Sequence, residues 1–329
     1  MTRPPTNVLF LAAGRRVSLV REFRQALANL DDAGRVITED ATRSAPAHVV
    51  SDAQVALPRC TEPGYVDQLL ELCRREGVRL IVPLIDTVLP VLAPHRAAFK
   101  AIGTTALVSS PEVAAIGHHK ADTAAFFQSG GFATPRIFTA GEIALLTAAD
   151  FPVFVKPPMG SSSIGAEKVA TKADLDHLLS RAPDLLVMEC MTGDEYTVDV
   201  YVDLQGTPRC AVPRKRLEVR AGEVSKGLTV RDEAIIAQSL AVAAKLPGAV
   251  GCITLQCFKR PDGSVCFIEI NARFGGGYPL SWHAGANYPR WLLQEVRGDR
   301  PAYLDDISWR DNLCMLRYDD ELIIDGCRL

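Results

Sequence analysis

No apolar run in this 329-residue chain approaches the roughly 20 residues that cross a membrane. Nor does one sign of charge dominate, since 36 lysines and arginines face 39 aspartates and glutamates. A membrane span and a partner held by global charge are both excluded, so nucleic acid is not expected. The nine cysteines, at 60, 73, 190, 210, 252, 257, 266, 314 and 327, are odd in number and contain no C-x-x-C pair. Histidine is equally unhelpful for zinc, because His118, His119 and His283 have no ligand spacing around them. Free thiols in a reducing cytoplasm are the expectation. The short apolar run before Arg15 and Arg16 reads as a first buried strand rather than a secretory signal. Two enzyme signatures are also missing. Gly14 stands alone where a dinucleotide fingerprint needs three spaced glycines, and Ser161, Ser162 and Ser163 lack a nucleophile-elbow context, so NAD chemistry and serine hydrolysis are not expected.

What is present is an ordinary globular composition, 48% hydrophobic and 23% charged, long enough for two or three buried cores. NVLFL at 7–11, a helical spacing through Val17, Val20, Phe23 and Leu27, then RVIT, a helix at 65–76 and LIVP at 80–83 alternate strand with helix. That pattern predicts a doubly wound parallel sheet over residues 1–110. Asp86 and Thr87 follow its third apolar run, where such sheets bind ligands, although an N-cap for the next helix is the reading favoured here. Ser109-Ser110-Pro111-Glu112 opens a helix and a second unit at 111–190, and antiparallel strands dominate 191–329. The predicted class is thus α/β followed by α+β.

The densest chemistry lies in FIEINARFGGG. Glu269, Asn271 and Arg273 alternate, so on a strand they share one face. With Asp262-Gly263 as a two-residue turn, the preceding strand places Gln256 opposite Glu269. One carboxylate, two amide oxygens and a cation form a hard-oxygen site suited to Mg²⁺ with an arginine left for an anion. The polar outer face of a hairpin gives the same pattern. Gly275, Gly276 and Gly277 let backbone approach a ligand, or merely make a flexible turn.

Other segments are individually weaker. Lys156 ends a strand before Gly160, Ser161, Ser162, Ser163, Ile164 and Gly165, a loop able to wrap phosphate oxygens or to be a surface turn. Glu189 and Glu195 bracket Cys190 and Met191, where an adenine could lie and a ribose could be held. A Gln205-Gly206 turn would set Arg216 across from Glu195 and Arg214 across from Thr197. Lys226, in AGEVSKG, could close over a phosphate or stay solvated in a mobile loop. His283 could orient a substrate or simply pack.

Taken in order, Lys120, Lys156, the GSSSIG loop, Glu189, Glu195, Gln256, Glu269, Asn271 and Arg273 resemble the ATP-grasp superfamily, in its carbamoyl-phosphate-synthase-like and PylC-like branch. NVLFLAAGRRVSLVREFRQAL resembles the amino-terminal domain of that branch. The resemblance implies a parallel-sheet domain at 1–110, a small ATP-grasp lobe at 111–190 and a carboxyl-terminal lobe with antiparallel sheets at 191–329. It implies that Lys120 and Lys156 contact ATP phosphates beneath 160–165, with Lys226 and Arg216 contributing. Glu189, Cys190 and Met191 would bound the adenine, and Glu195 would hold the ribose. Gln256 and Glu269 would ligate one Mg²⁺ and Glu269 and Asn271 a second, with Mn²⁺ an alternative metal. Arg273 would steady the transferred phosphoryl, and Gly275–Gly277 and His283 would face substrate. Two features depart from the branch: Gln256 stands where many relatives have an acid, and Thr38-Glu39-Asp40 is an unusual strand end. The implied activity is ATP-dependent joining of a small carboxylate to an amine through an acyl phosphate, in the cytoplasm, with a homodimer open as the assembly. Phosphorylation of bicarbonate or carbamate, and a non-catalytic ATP-binding subunit, are the alternatives.

Overall fold

Asn7–Leu11 is buried at every position, which suits a strand covered on both faces. The computed structural model, which describes residues 3–160 and 164–326, sets it at the centre of a five-stranded parallel sheet. The strands are β1 (Asn7–Leu11), β2 (Val36–Glu39), β3 (Ala53–Val55), β4 (Val78–Pro83) and β5 (Thr105–Ala106), in the order β3-β2-β1-β4-β5. The chain therefore reverses its winding between β1 and β4. Outside the carboxyl ends of those two strands lies the crevice where open α/β sheets bind ligands. The acidic end of β2 has a local purpose. Glu39 accepts from the Ala12 amide (3.0 Å) and Asp40 from the Gly14 amide (2.8 Å), so the turn after β1 is filled by the protein's own carboxylates.

A small antiparallel sheet follows, β6 (Val153–Lys156), β7 (Glu167–Val169) and β8 (Leu186–Glu189), ordered β7-β6-β8. It closes its own core of Val153, Val155, Val169, Leu175 and Val187 with the helix Lys172–Arg181. The helices Pro111–His118 and Lys120–Ser129 precede this sheet in the chain. They pack elsewhere, with Phe127 stacked 5.4 Å from Phe267 of the large sheet.

That large sheet has six antiparallel strands, β9 (Asp194–Val202), β10 (Pro208–Arg220), β11 (Glu223–Thr229), β12 (Gly251–Lys259), β13 (Val265–Asn271) and β14 (Cys314–Leu316), ordered β13-β12-β9-β10-β11-β14. The AGEVSKG segment, expected as a mobile loop, is the strand β11, hydrogen-bonded between β10 and β14. YPLSWHA is the helix Tyr278–Ala284, started by proline in its first turn and stopped by Gly285 in the left-handed region.

The β12–β13 hairpin corrects the expected turn. Gly263, at φ +85°, donates to Arg260 O (2.9 Å) and Arg260 donates to Ser264 O (2.9 Å), giving a three-residue loop. Lys259 consequently faces Val265, and a bulge beyond Phe267 restores the pairing of Gln256 with Glu269. Along β9 and β10, Arg214 pairs with Thr197 as expected.

The first and last parts of the chain share their cores. Phe23 meets Phe10 edge-on at 5.0 Å and Phe274 at 6.0 Å, and Phe274 meets Tyr278 at 4.8 Å. Buried aromatic contacts of this kind fix how the parallel sheet seats on the large one.

Candidate active site

A cavity of about 830 Å³ lies where the three sheets meet. Its floor is the face of β13. Glu269, Asn271 and Arg273 project into it together, as their alternation requires. Asn271 Nδ2 donates to Glu269 Oε1 (3.1 Å), and Arg273 Nη2 donates to Asn271 Oδ1 (3.1 Å). Gln256 lines the cavity from β12, opposite Glu269. The bulge turns Ile268 the same way as Glu269, adding an apolar wall beside the carboxylate.

Two lysines approach from different elements, one from the small sheet and one from a helix packed on the large sheet. Lys156, at the end of β6, and Lys120, at the start of its helix, both line the cavity, and Lys120 Nζ donates to Gly160 O (2.8 Å). Burial lowers both lysine pKa values, and the nearby Glu269 charge acts against it. Gly160 and Ile164 are at the rim, whereas Gly165 faces Pro157 and does not line the cavity. Ser161, Ser162 and Ser163 lie outside the described residues.

Apolar Phe154, Met188 and Phe258 line the outer part with Glu189, Cys190 and Met191. The Glu189 carboxylate pairs with Arg260 at 3.3 Å. Glu195 is an ion pair with Arg216 at 3.3 Å, and both border the cavity; burial raises the Glu195 pKa against the pull of Arg216. Besides Gly165, two expected site residues fall elsewhere. Lys226 is absent from the lining and pairs with Glu218 (2.7 Å) on the far face of β11, because a strand rather than a loop carries it. His283 is exposed on the helix Tyr278–Ala284, whose buried face is taken by Tyr278, Leu280, Ser281 and Ala284.

The inner end contains residues to which the local sequence pattern gave another role or none. Asp86 makes no cap; it holds Arg273 with two hydrogen bonds, Nη2–Oδ2 (2.8 Å) and Nε–Oδ1 (3.1 Å). Burial alone would lower the Arg273 pKa, and Asp86 reverses that to a rise. Arg214, 1% exposed, is held on Asp199 (2.7 and 3.0 Å), which also accepts from Ser281. Two of the three glycines make room for arginines. A Cβ on Gly276 would stand 2.4 Å from Arg16 Nη1, and one on Gly277 would stand 2.2 Å from Arg214 Nη1. Arg16 and Glu223 complete the inner wall.

One carboxylate with two amide oxygens suits a hard divalent cation that keeps other oxygen ligands. Among the described residues no three His, Cys, Asp or Glu side chains stand together as a metal site, so such an ion would take its remaining ligands from water or from a bound oxyanion. The lysines beside Glu269 suit the same oxyanion.

Two regions of the chain match known families. Residues 8–107 match the family model for the PylC-like N-terminal domain, and residues 181–312 match that for ATP-grasp in the biosynthetic pathway with Ter operon. The chain thus carries a PylC-like N-terminal domain and an ATP-grasp domain. Among solved structures, it resembles an ADP complex of N5-carboxyaminoimidazole ribonucleotide synthetase, with a TM-score of 0.70, 13% identity, and coverage of 92% of this chain and 80% of that one. It also resembles an L-amino acid ligase from Bacillus licheniformis, with a TM-score of 0.68, 16% identity, and coverage of 93% and 77%. At such identities the likeness is one of fold. In sequence it is 30% identical over 172 residues to a D-alanine–D-alanine ligase of Streptomyces coelicolor, covering 45% of this chain and 44% of that one. A D-alanine–D-alanine ligase of Pseudarthrobacter chlorophenolicus is 32% identical over 175 residues, covering 44% and 45%. The chain thus spans less than half the length of these curated relatives. No helix among the described residues is long and apolar enough to cross a membrane.

Proposed function

We propose that the protein is an ATP-dependent carboxylate–amine ligase that forms an amide between small, amino-acid-like substrates, releasing ADP and phosphate. The observation that carries this is the meeting of Glu269, Asn271 and Gln256 with Lys120, Lys156 and Arg273 in one cavity, with an apolar outer half and a cationic inner end. The adenine would lie against Phe154, Met188, Phe258 and Ile268, with Glu195, steadied by Arg216, toward the ribose hydroxyls. Lys120, Lys156 and the loop at 160–165 would take the phosphates. Glu269, Asn271 and Gln256 would hold two Mg²⁺ ions, or Mn²⁺, which when bound neutralise charge on the phosphate oxygens.

Phosphoryl transfer asks a protein chiefly for in-line positioning and a pre-set electrostatic field. Here Arg273, fixed in direction by Asp86 and Asn271, stands beside the carboxylate that must face the phosphate chain. The substrate carboxylate oxygen takes the γ-phosphoryl group and ADP leaves. The amine nitrogen then attacks the acyl carbon, phosphate departs with the oxygen, and the amine loses a proton to solvent. No side chain need act as a covalent nucleophile. The free thiols at Cys73, Cys210, Cys252, Cys257 and Cys266 are buried and fit work in a reducing cytoplasm.

The test is ADP release in a screen of carboxylate and amine pairs with ATP and Mg²⁺, with Glu269→Gln as comparison. Turnover that requires both substrates and falls at least a hundredfold in Glu269→Gln is expected, since removing one pre-set charge at such a site costs about two to three decades. ADP release with bicarbonate alone, or nucleotide binding with no turnover on any carboxylate, would refute the ligase reading.

A further inference from the structure

The inner end of the site is unbalanced in charge. Arg15, Arg16, Arg273 and Arg317 act on one another or on nearby carboxylates, of which there are three, Asp86, Glu223 and, for Arg273, Glu269. Arg273 is spoken for by Asp86 and Arg317 by Glu223 at 2.9 Å, but Arg16 is not. Its guanidinium is 3.7 Å from Glu223, is only 21% exposed, and donates no side-chain hydrogen bond to any described residue. An arginine carries five N–H donors, and leaving them without partners in a poorly hydrated place is costly. The surroundings express that cost: burial, together with Arg273 and Arg317, pulls the Arg16 pKa down to about 10 in spite of Glu223.

Beside Arg16 a second cavity of about 230 Å³ opens from the first, sharing Arg16, Glu223, Gly275 and Gly276 with it. Its remaining wall is mostly small and apolar, from Ala13, Leu19, Ile85, Pro279 and Met315, with Ser18 among them and Arg15 and Arg317 as further cations. It lies outside the carboxyl end of β1, at the point where the parallel sheet reverses its winding.

We propose that this second cavity binds the amine substrate as a free α-amino acid, its carboxylate on Arg16 and Arg317, its amino group at Glu223, and its side chain against the apolar wall. The inference rests on the ligase reading and adds its second substrate. A zwitterion matches what the cavity offers, since each of its charges meets an opposite one. A phosphate dianion would gain the arginines but meet the Glu223 carboxylate at once. Glu223 belongs to both cavities, so an amine placed there borders the compartment in which the acyl phosphate would form.

The experiment pairs each of the common amino acids with its carboxamide, which keeps the amine and side chain and loses the negative charge. Binding is read by calorimetry on the full chain with ATP analogue and Mg²⁺ present, and turnover by ADP release. At least one free amino acid is expected to bind roughly ten- to hundredfold more tightly than its carboxamide, the discrimination carried by one charge-assisted hydrogen bond. That preference should collapse in Arg16→Gln and weaken in Arg317→Gln, a change at a more exposed position that keeps the inference testable if Arg16→Gln does not fold by circular dichroism. Equal binding of acid and amide, or a preference untouched by the folded variants, would overturn the inference. If ADP release proceeds with amines that lack a carboxylate, this inference alone fails; if no carboxylate supports ADP release at all, the ligase reading fails.

Discussion

Glu22 is a carboxyl group in the wrong medium, and that makes it measurable. It sits on the buried face of the helix Val17–Ala28, 4% exposed, and neither of its oxygens has a hydrogen-bond partner among the described residues. Burial, helped by the negative Asp199, lifts its pKa from the ordinary 4.5 to about 8. The folded state therefore holds a proton that the unfolded chain releases. The stability this gives is complete below the unfolded value and is lost as pH rises toward the folded one. Each pH step of one within that window costs roughly 1.4 kcal/mol, so about 4 to 5 kcal/mol is the upper limit between pH 4.5 and 8. Glu22→Gln keeps the shape and cannot ionise. Urea midpoints at pH 5, 7 and 8.5, converted to free energies, should show variant and wild type differing little at pH 5. The variant should then gain by about 2 to 4 kcal/mol at pH 8.5, short of the full limit because part of the wild-type loss is already present at pH 5. Only the change with pH carries the argument. Parallel curves for the two proteins would mean that Glu22 is solvated or already charged in the fold, and the reasoning would be wrong.

Two further substitutions probe the inner wall. Gly277→Ala would drive a methyl 2.2 Å from Arg214 Nη1 and 2.6 Å from Val224, and Arg214 cannot yield because Asp199 holds it. A loss of about 1 to 3 kcal/mol in a urea titration is expected, whereas Gly141→Ala, with open space around a helical position, should gain up to about 1 kcal/mol. Asp86→Asn removes the charge that directs Arg273; stability should fall by about 1 to 3 kcal/mol. ADP release in folded protein should drop by more than tenfold, and an unchanged turnover would reduce Asp86 to a link between domains.

The parts of the site that could be read from the chain were those governed by short-range periodicity. Glu269, Asn271 and Arg273 share a face because strand side chains alternate, whatever the rest of the protein does. Gln256 met Glu269 through compensating irregularities: the real loop is a residue longer than expected, and the bulge at Ile268 takes up the difference. Lys226 was misplaced because AGEVSKG, rich in glycine and charge, looks like a loop when nothing shows that β10 and β14 flank it. Asp86 looked like a cap because its helical turn is local, while its partner is 187 residues away. Arg16 and Glu223 had no local pattern at all. Their meeting depends on how the parallel sheet seats on the large one, which apolar contacts such as Phe23 with Phe274 decide.

That dependence bears on why three consecutive glycines follow Arg273. A glycine run costs backbone entropy on folding, so it needs a return. None of the three has a φ in the left-handed region, which removes conformational need as the reason. What they share is crowding: Thr254 stands over Gly275, Arg16 and Glu223 over Gly276, and Arg214 over Gly277. Side chains from the parallel-sheet domain and from β10, β11 and β12 are thereby packed against one stretch of bare backbone. The cationic end of the cavity is built by this convergence. A Cβ at any of these positions would press outward on a group that either directs Arg273, fixes Arg214, or faces the second cavity, so the run works as the common seat of the domains around the reacting end of the site.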